Sequence, residues 1–418
     1  MRAVVFDLSL VRYGLAKALG KKMPALYYGK PSCLSLREVG EPTLRGPAWA
    51  KVAVEACGFC GSDLSTILLK YSPSLSPFSS MPCVLGHEIF GRLSAVGADA
   101  RSAGFKEGDR VSVNPAFGCL VRNISPLCPA CASGHPATCH FAGTHAGGLA
   151  AGFSIGFHKD LGGGFSESLI AHRSQLFHLP DAVPDERAVL VEPIAIGLHA
   201  VLKRPPQTDE EVLIIGGGMI AYSVLAALRL LGFRNKVTQL LLLDFQAERA
   251  RALGADEVIK LGPGVDVLDE VCRRTGAHRH KPLLGRDVLT GGWPVTFDCV
   301  GSPESMRDAL AFTRSQGTVV LVGNAGILPK LDVTTIWSHE LSLVGTAYYG
   351  PEPLRDHQHT LALAGELLSE EAARPLDALI THHYPLESYE EAVVANIERG
   401  RFRSVKTVFH PRQARSFS

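Results

Sequence analysis

Two short stretches carry residue types suited to metal chemistry: Cys60-Gly61-Ser62-Asp63 and Gly86-His87-Glu88. Each sets a good zinc donor, a thiolate or an imidazole, beside a carboxylate. Well downstream, Gly216-Gly217-Gly218-Met219-Ile220-Ala221 has the Gly-x-Gly-x-x-Ala form that receives a dinucleotide when it joins a strand to a helix. A metal that acidifies an alcohol or polarises a carbonyl, combined with a nucleotide site, points to hydride transfer.

A further metal set is built from Cys119 and the run Cys128-x2-Cys131-x7-Cys139. Four cysteines within 21 residues, in a stretch rich in glycine and proline, are compatible with a tetrahedral structural zinc. A loop with so little core of its own gains most from such a staple. Buried or free thiols, or a redox-active Cys-x-x-Cys, are the competing readings. Cys57-Gly58-Phe59-Cys60 is a second Cys-x-x-Cys, but a thioredoxin-type dithiol would need a neighbouring strand–helix–strand unit, which is absent.

These residues need two different kinds of scaffold. Residues 1 to about 190 are rich in β-branched residues, glycine and proline, and Trp49–Glu55 and Asp109–Val113 alternate as half-buried strands do. That pattern predicts an irregular, mainly β domain whose loops carry the chemistry. From about 196 the pattern becomes strand then helix: strand 212–215, the glycine turn, helix 219–232, strand 240–243 and helix 247–253. Further strands are predicted at 295–298, 318–322 and 341–344, which calls for a parallel sheet with helical crossovers. A helix at 357–368, an element at 386–399 and a strand at 404–409 end the chain, and 273–294 reads as a polar surface loop.

In the nucleotide turn, Gly216 permits the bend, Gly218 admits the pyrophosphate, and Ala221 allows close packing of helix on sheet. The helix start offers its unpaired N–H groups to phosphate. Asp244 is placed at the end of the next strand, 28 residues after Gly216, beyond the usual spacing of about 20. The excess is assigned to a longer loop at 234–238. A carboxylate there would accept from the ribose hydroxyls and repel a 2′-phosphate, which favours NAD over NADP.

Bulk properties exclude several classes. The 42 Lys+Arg against 41 Asp+Glu give a net charge of +1, so no nucleic-acid or acidic-membrane partner is implied. Arg399, Arg401, Arg403, Lys406, Arg412 and Arg415 read as a solvated tail, or one touching cofactor phosphate. The apolar run 212–233 has three glycines near its start and Arg229 inside, so a buried strand and helix explain it better than a membrane span. The basic first residues permit a transit peptide, but Ala3-Val4-Val5-Phe6 reads as a first strand, leaving the cytoplasm as the default location.

With these residues in view, the chain resembles the zinc-dependent medium-chain alcohol dehydrogenases along nearly its whole length. Gly58–Asp63 and Gly86–Glu88 match that family's first two catalytic-zinc segments, and Val191-Glu192-Pro193 with His199-Ala200 looks like the third, as in its polyol and threonine dehydrogenase branch. The resemblance implies that Cys60, His87 and Glu192 hold a catalytic zinc, with Glu88 an outer or exchangeable ligand. Asp63 would orient His87. It also implies structural zinc at Cys119, Cys128, Cys131 and Cys139, although the first pair is separated by eight residues where the family has two. Cys299-Val300 and Val322-Gly323 resemble segments along the cofactor, and Arg249 stands where the family often has a basic residue near the ribose.

The implied architecture is α/β: a GroES-like, mainly β catalytic domain over 1–195 and 348–418, with a zinc lobe at about 115–142, and a Rossmann doubly wound parallel sheet over 196–347. The implied activity is hydride transfer between a zinc-bound secondary alcohol or polyol, a small molecule, and NAD. Ser62 would take the alcohol proton. Ser65 occupies the position of the family's relay histidine, so the proton must leave through Ser65, the ribose or water. Residues 7–32 form an insertion with helical apolar spacing (Leu10, Tyr13, Leu15, Leu19) that could cover the cleft, an oligomer surface or simply pack as a surface helix. The family suggests homodimers or homotetramers joined through the edge strand near 341–348. An NADPH-dependent zinc carbonyl reductase and a non-catalytic redox sensor are the alternatives.

Overall fold

A computed structural model describes residues 1–323 and 326–413, so Arg415 of the basic run lies outside the described residues. The chain divides into two compact units: Met1–Glu192 with His357–Glu371 and Ile380–Ser418, and Pro193–Asp356 with Ala372–Leu379.

In the first unit the ten-residue strand Trp49–Gly58 is the centre of a mainly antiparallel sheet. Its apolar side chains are buried on both faces, including Val52, Val54 and Cys57, each fully buried. It pairs with Glu88–Val96 in a register that sets Gly58 opposite Glu88. That pairing brings Cys60, two residues past one strand, toward His87, just before the other. Gly58 is required there, because a Cβ would come within 1.9 Å of Glu88 Oε2. On the other side Lys406–Phe409 pairs with the same strand, Val408 opposite Gly58. Lys406 is therefore an inward-facing strand residue, 1% exposed, and not part of a solvated tail.

The insertion does form helices, Leu10–Leu19 and Ala25–Tyr28. Only Ala16 of the first is buried, while Leu10 and Val11 are more than four-fifths exposed and Tyr13, Leu15 and Leu19 also face outward. The helix rests on small residues instead: a Cβ on Gly20 would strike the Tyr27 ring. It is not a surface helix packed by its apolar residues.

The second unit holds a six-stranded, wholly parallel sheet in the order Glu257–Lys260, Val237–Leu241, Val212–Ile215, Trp293–Asp298, Thr313–Leu321, Ser342–Gly345. This 3-2-1-4-5-6 order is that of the Rossmann fold. Leu213, Ile215, Leu240, Trp293, Phe312 and Val319 lie in its core on one face. The apolar run from 212 resolves into a buried strand, the glycine turn and the helix Met219–Leu230. Among the described residues no helix is long and apolar enough to cross a membrane.

Several boundaries differ from the sequence reading. The second strand of the sheet starts at Val237, whose side chain is buried, so the preceding loop is shorter than expected. The helix expected from 357 begins at Thr360, because Asp356 and His357 take left-handed φ values of 50° and 59°. Residues 273–294 include a β-hairpin, His278–His280 with Val288–Thr290. Its first strand is polar and exposed on both faces, so no alternation marked it.

His172 closes the strand Ser168–His172, edge-on to Trp49, and its Nδ1 accepts from the Ser174 backbone N–H. Burial first, and Arg173 second, pull its pKa from the ordinary 6.5 to about 4. A histidine held neutral contributes stability above pH 6.5 that is lost as pH falls through 4. We expect wild type to lose up to about 3 kcal/mol more than His172→Gln over that interval, measured by urea denaturation at each pH.

Candidate active site

Cys60 is the N-cap of the helix Gly61–Ile67, and this places Asp63 where its carboxylate can reach back. Asp63, fully buried, accepts from Cys60 N–H at 2.9 Å and from Gly86 N–H at 3.3 Å. One carboxylate thus ties together the two segments singled out from the sequence. Its Oδ1 lies 3.4 Å from His87 Nδ1, a buried atom that makes no hydrogen bond. The other ring nitrogen, Nε2, is 3.3 Å from Ser62 Oγ. Burial alone would lower the His87 pKa, but Asp63 and then Cys60 hold it well above the ordinary value. Asp63 and Cys60 thus make the surroundings of His87 favour positive charge.

Glu88 is taken up by a buried lysine. Both its oxygens receive Lys406 Nζ, at 2.7 and 2.5 Å, in a pair that is almost wholly buried. Burial opposes charge on Lys406, but Glu88, then Cys60, and also Glu192 keep its pKa raised. Glu192 is buried at the start of the helix Val191–Lys203 and acts on the same ammonium. Cys60, His87 and Glu192 are not drawn into one tight ligand cluster. Among the described residues the only group of three or more His, Cys, Asp or Glu whose ligand atoms all lie within 4.8 Å is the cysteine quartet.

Lys406 was not visible as a site residue in the sequence, although its place in a strand with Val408 and Phe409 could have signalled a buried lysine. Removing one member of a buried pair leaves the other charge uncompensated. Lys406→Met is expected to lower unfolding free energy by about 3 to 5 kcal/mol. The double variant with Glu88→Gln should recover most of the loss in the same denaturant titration.

Cys119, Cys128, Cys131 and Cys139 form that quartet, so the long first spacing does not displace Cys119. Sulfurs here accept backbone N–H groups: Cys119 N–H donates to Cys131 Sγ, Cys128 N–H to Cys119 Sγ and Phe141 N–H to Cys139 Sγ, at 3.3 to 3.4 Å. A Cβ on Gly118 would come within 2.4 Å of Cys131 Sγ, so the chain folds tightly over the sulfurs. Burial opposes ionisation of Cys128, but the N–H groups of Cys131 and His140 more than offset it and bring its pKa to about 6. Burial pushes Cys131 and Cys139 up. Four converging sulfurs with N–H support suit a tetrahedral zinc, whose charge would offset four thiolates.

In the second unit Gly216 has φ 129° and Gly218 caps the helix Met219–Leu230, leaving its first N–H groups for an anion. Ala221 is buried behind them. Asp298 anchors the neighbouring turn, accepting from Val300 N–H, Gly301 N–H and Ser305 Oγ at 3.0 to 3.1 Å. Val322 and Gly323 donate to the Asp298 carbonyl, and a Cβ on Gly323 would lie 2.4 Å from the Val300 carbonyl carbon. The structure therefore gathers Cys299, Val300, Val322 and Gly323 at the end of the strand Trp293–Asp298. Asp244 is the first residue of the helix Asp244–Ala252, with Leu243 as N-cap, and does not end the strand. Its carboxylate is 79% exposed and pairs with Lys260 at 2.5 Å. Arg249 is half-buried on the same helix, and Ser65 on the helix that follows Cys60.

Residues 46–181 match the model of the alcohol dehydrogenase GroES-like domain, and 220–364 that of the zinc-binding dehydrogenase domain. Together they span about two thirds of the chain. The chain belongs to the zinc-dependent medium-chain alcohol dehydrogenases. Among members of this family it is 29% identical to L-galactonate-5-dehydrogenase of Escherichia coli, over 87% of this chain and 92% of that one. It is 27% identical to L-idonate 5-dehydrogenase of Vitis vinifera, over 87% and 88%. The solved structure of 2R,3R-butanediol dehydrogenase from Bacillus subtilis has a TM-score of 0.67 at 25% identity, over 90% of this chain and 96% of that one. As a medium-chain dehydrogenase of this type, the protein is a zinc-dependent oxidoreductase acting on CH–OH groups with a nicotinamide cofactor.

Proposed function

We propose that this dehydrogenase oxidises a secondary hydroxyl of a small polyhydroxylated molecule with NAD, and reduces the ketone in reverse. The observation that carries it is the Cys60–Asp63–His87 arrangement, in which a buried carboxylate holds both donor segments and lies 3.4 Å from the imidazole. Cys60, His87 and Glu192 would hold the catalytic zinc, and the cysteine quartet the structural one. Bound there, zinc supplies Lewis acidity toward the alcohol or carbonyl oxygen. Ser62, hydrogen-bonded to His87 Nε2, would accept the hydroxyl proton, and Ser65, one helical turn on, would be a next carrier. Glu88 keeps Lys406 charged and in place beneath the donor segments. The first unit would carry this chemistry and the second would hold the dinucleotide along Gly216, Gly218, Ala221, Cys299, Val300, Val322 and Gly323.

The Asp244 carboxylate at the start of its helix can accept from the ribose hydroxyls of NAD, and the relatives named for acting at position 5 of L-galactonate and L-idonate support a secondary alcohol. The exposed edge strand Ser342–Gly345 supports self-association as a dimer or tetramer. A panel of sugar acids, polyols and 2,3-butanediols, followed by NADH absorbance, tests the reading. Turnover is expected on secondary alcohols above primary ones; turnover confined to primary alcohols would contradict it.

A further inference from the structure

We propose that Lys260 sets the cofactor preference by neutralising Asp244, so that a 2′-phosphate is tolerated and NADPH binds nearly as well as NADH. The inference rests on the proposed role of Asp244 at the adenosine ribose. In open parallel sheets, ligands bind beyond the carboxyl ends of the strands. Lys260 is the last residue of the edge strand Glu257–Lys260 and pairs in register with Leu241, the last residue of the adjacent strand. From there its ammonium reaches Asp244 Oδ1 at 2.5 Å, across the start of the helix.

The pair is exposed where a nucleotide would arrive, with Asp244 79% and Lys260 45% accessible. Lys236, just before the adjacent strand, is engaged by Glu211 and Glu257 instead. A lone carboxylate would repel the two negative charges of a 2′-phosphate. With a lysine on it, the local charge is close to zero. An exposed pair of this kind contributes little to stability, so replacing the lysine should leave the fold unchanged.

The test is a fluorescence titration of wild type, Lys260→Met and Asp244→Asn with NADH and with NADPH, at two salt concentrations. Wild type is expected to favour NADH by less than about tenfold. Lys260→Met should weaken NADPH about tenfold while changing NADH less than about threefold, from the Coulomb interaction of close, solvent-screened charges. The effect should shrink at high salt, and Asp244→Asn should make NADPH the tighter ligand. An NADPH/NADH ratio that Lys260→Met leaves unchanged overturns the proposal while sparing the nucleotide site. Failure of wild type to bind either dinucleotide overturns the nucleotide-site reading itself.

Discussion

Replacing Cys60 by serine is expected to remove one of two zinc ions per chain and to lower kcat/KM for a secondary alcohol at least about a thousandfold. Lewis acidity toward a reacting oxygen is worth several kcal/mol, and each 1.36 kcal/mol is a factor of ten in rate. Serine keeps the N-cap geometry, since the Cys60 backbone N–H and not its sulfur is what Asp63 accepts. The helix Gly61–Ile67 and the fold should therefore survive. NADH affinity should be unchanged, because the residues proposed to hold the dinucleotide lie in the other compact unit. Metal analysis, steady-state kinetics and a cofactor titration on one preparation check all three parts. Loss of NADH binding together with turnover would mean that Cys60 supports the fold and not the chemistry.

Cys139→Ser should have the larger effect on stability. The lobe's own buried cluster consists of Cys119, Cys128 and Cys139, with Ile124, Ala130 and Cys131 against it. So small a core gives the segment little order, and a metal held by the four sulfurs would supply the stabilisation. We expect one zinc to be lost and the lobe to become sensitive to protease near 120–140, with a lower unfolding midpoint. Structural zinc in small sites binds with roughly 10 to 16 kcal/mol, of which the order of the lobe consumes a part. A variant that kept both zinc ions and wild-type protease resistance would return the quartet to ordinary buried thiols.

Much of this was legible in the sequence because the signals were local. The glycine turn between an apolar strand and an apolar helix needed no distant residue to be read, and the cysteines lie within one loop. Pairings between distant segments were not legible. Lys406 looked like one more basic residue near the end of the chain until its strand was seen beside Trp49–Gly58, with Glu88 across from it. Asp63 could be expected near His87, but its bond to the Gly86 N–H, which joins the two segments, depends on the sheet register. Lys260 escaped for the same reason, since only the parallel pairing brings it to Asp244. The hairpin at 278–290 and the outward-facing insertion helix were missed or misread because burial, not residue type, distinguishes them.

The central claim is that Cys60, His87 and Glu192 hold a zinc that the reaction needs, separate from the cysteine quartet. It is tested most directly by zinc content measured alongside secondary-alcohol turnover in wild type and Glu192→Gln. Wild type should carry two zinc ions per chain and turn over, while the variant keeps the quartet's ion alone and is inactive. One zinc per chain in an active wild type, unchanged in the variant, would contradict the account.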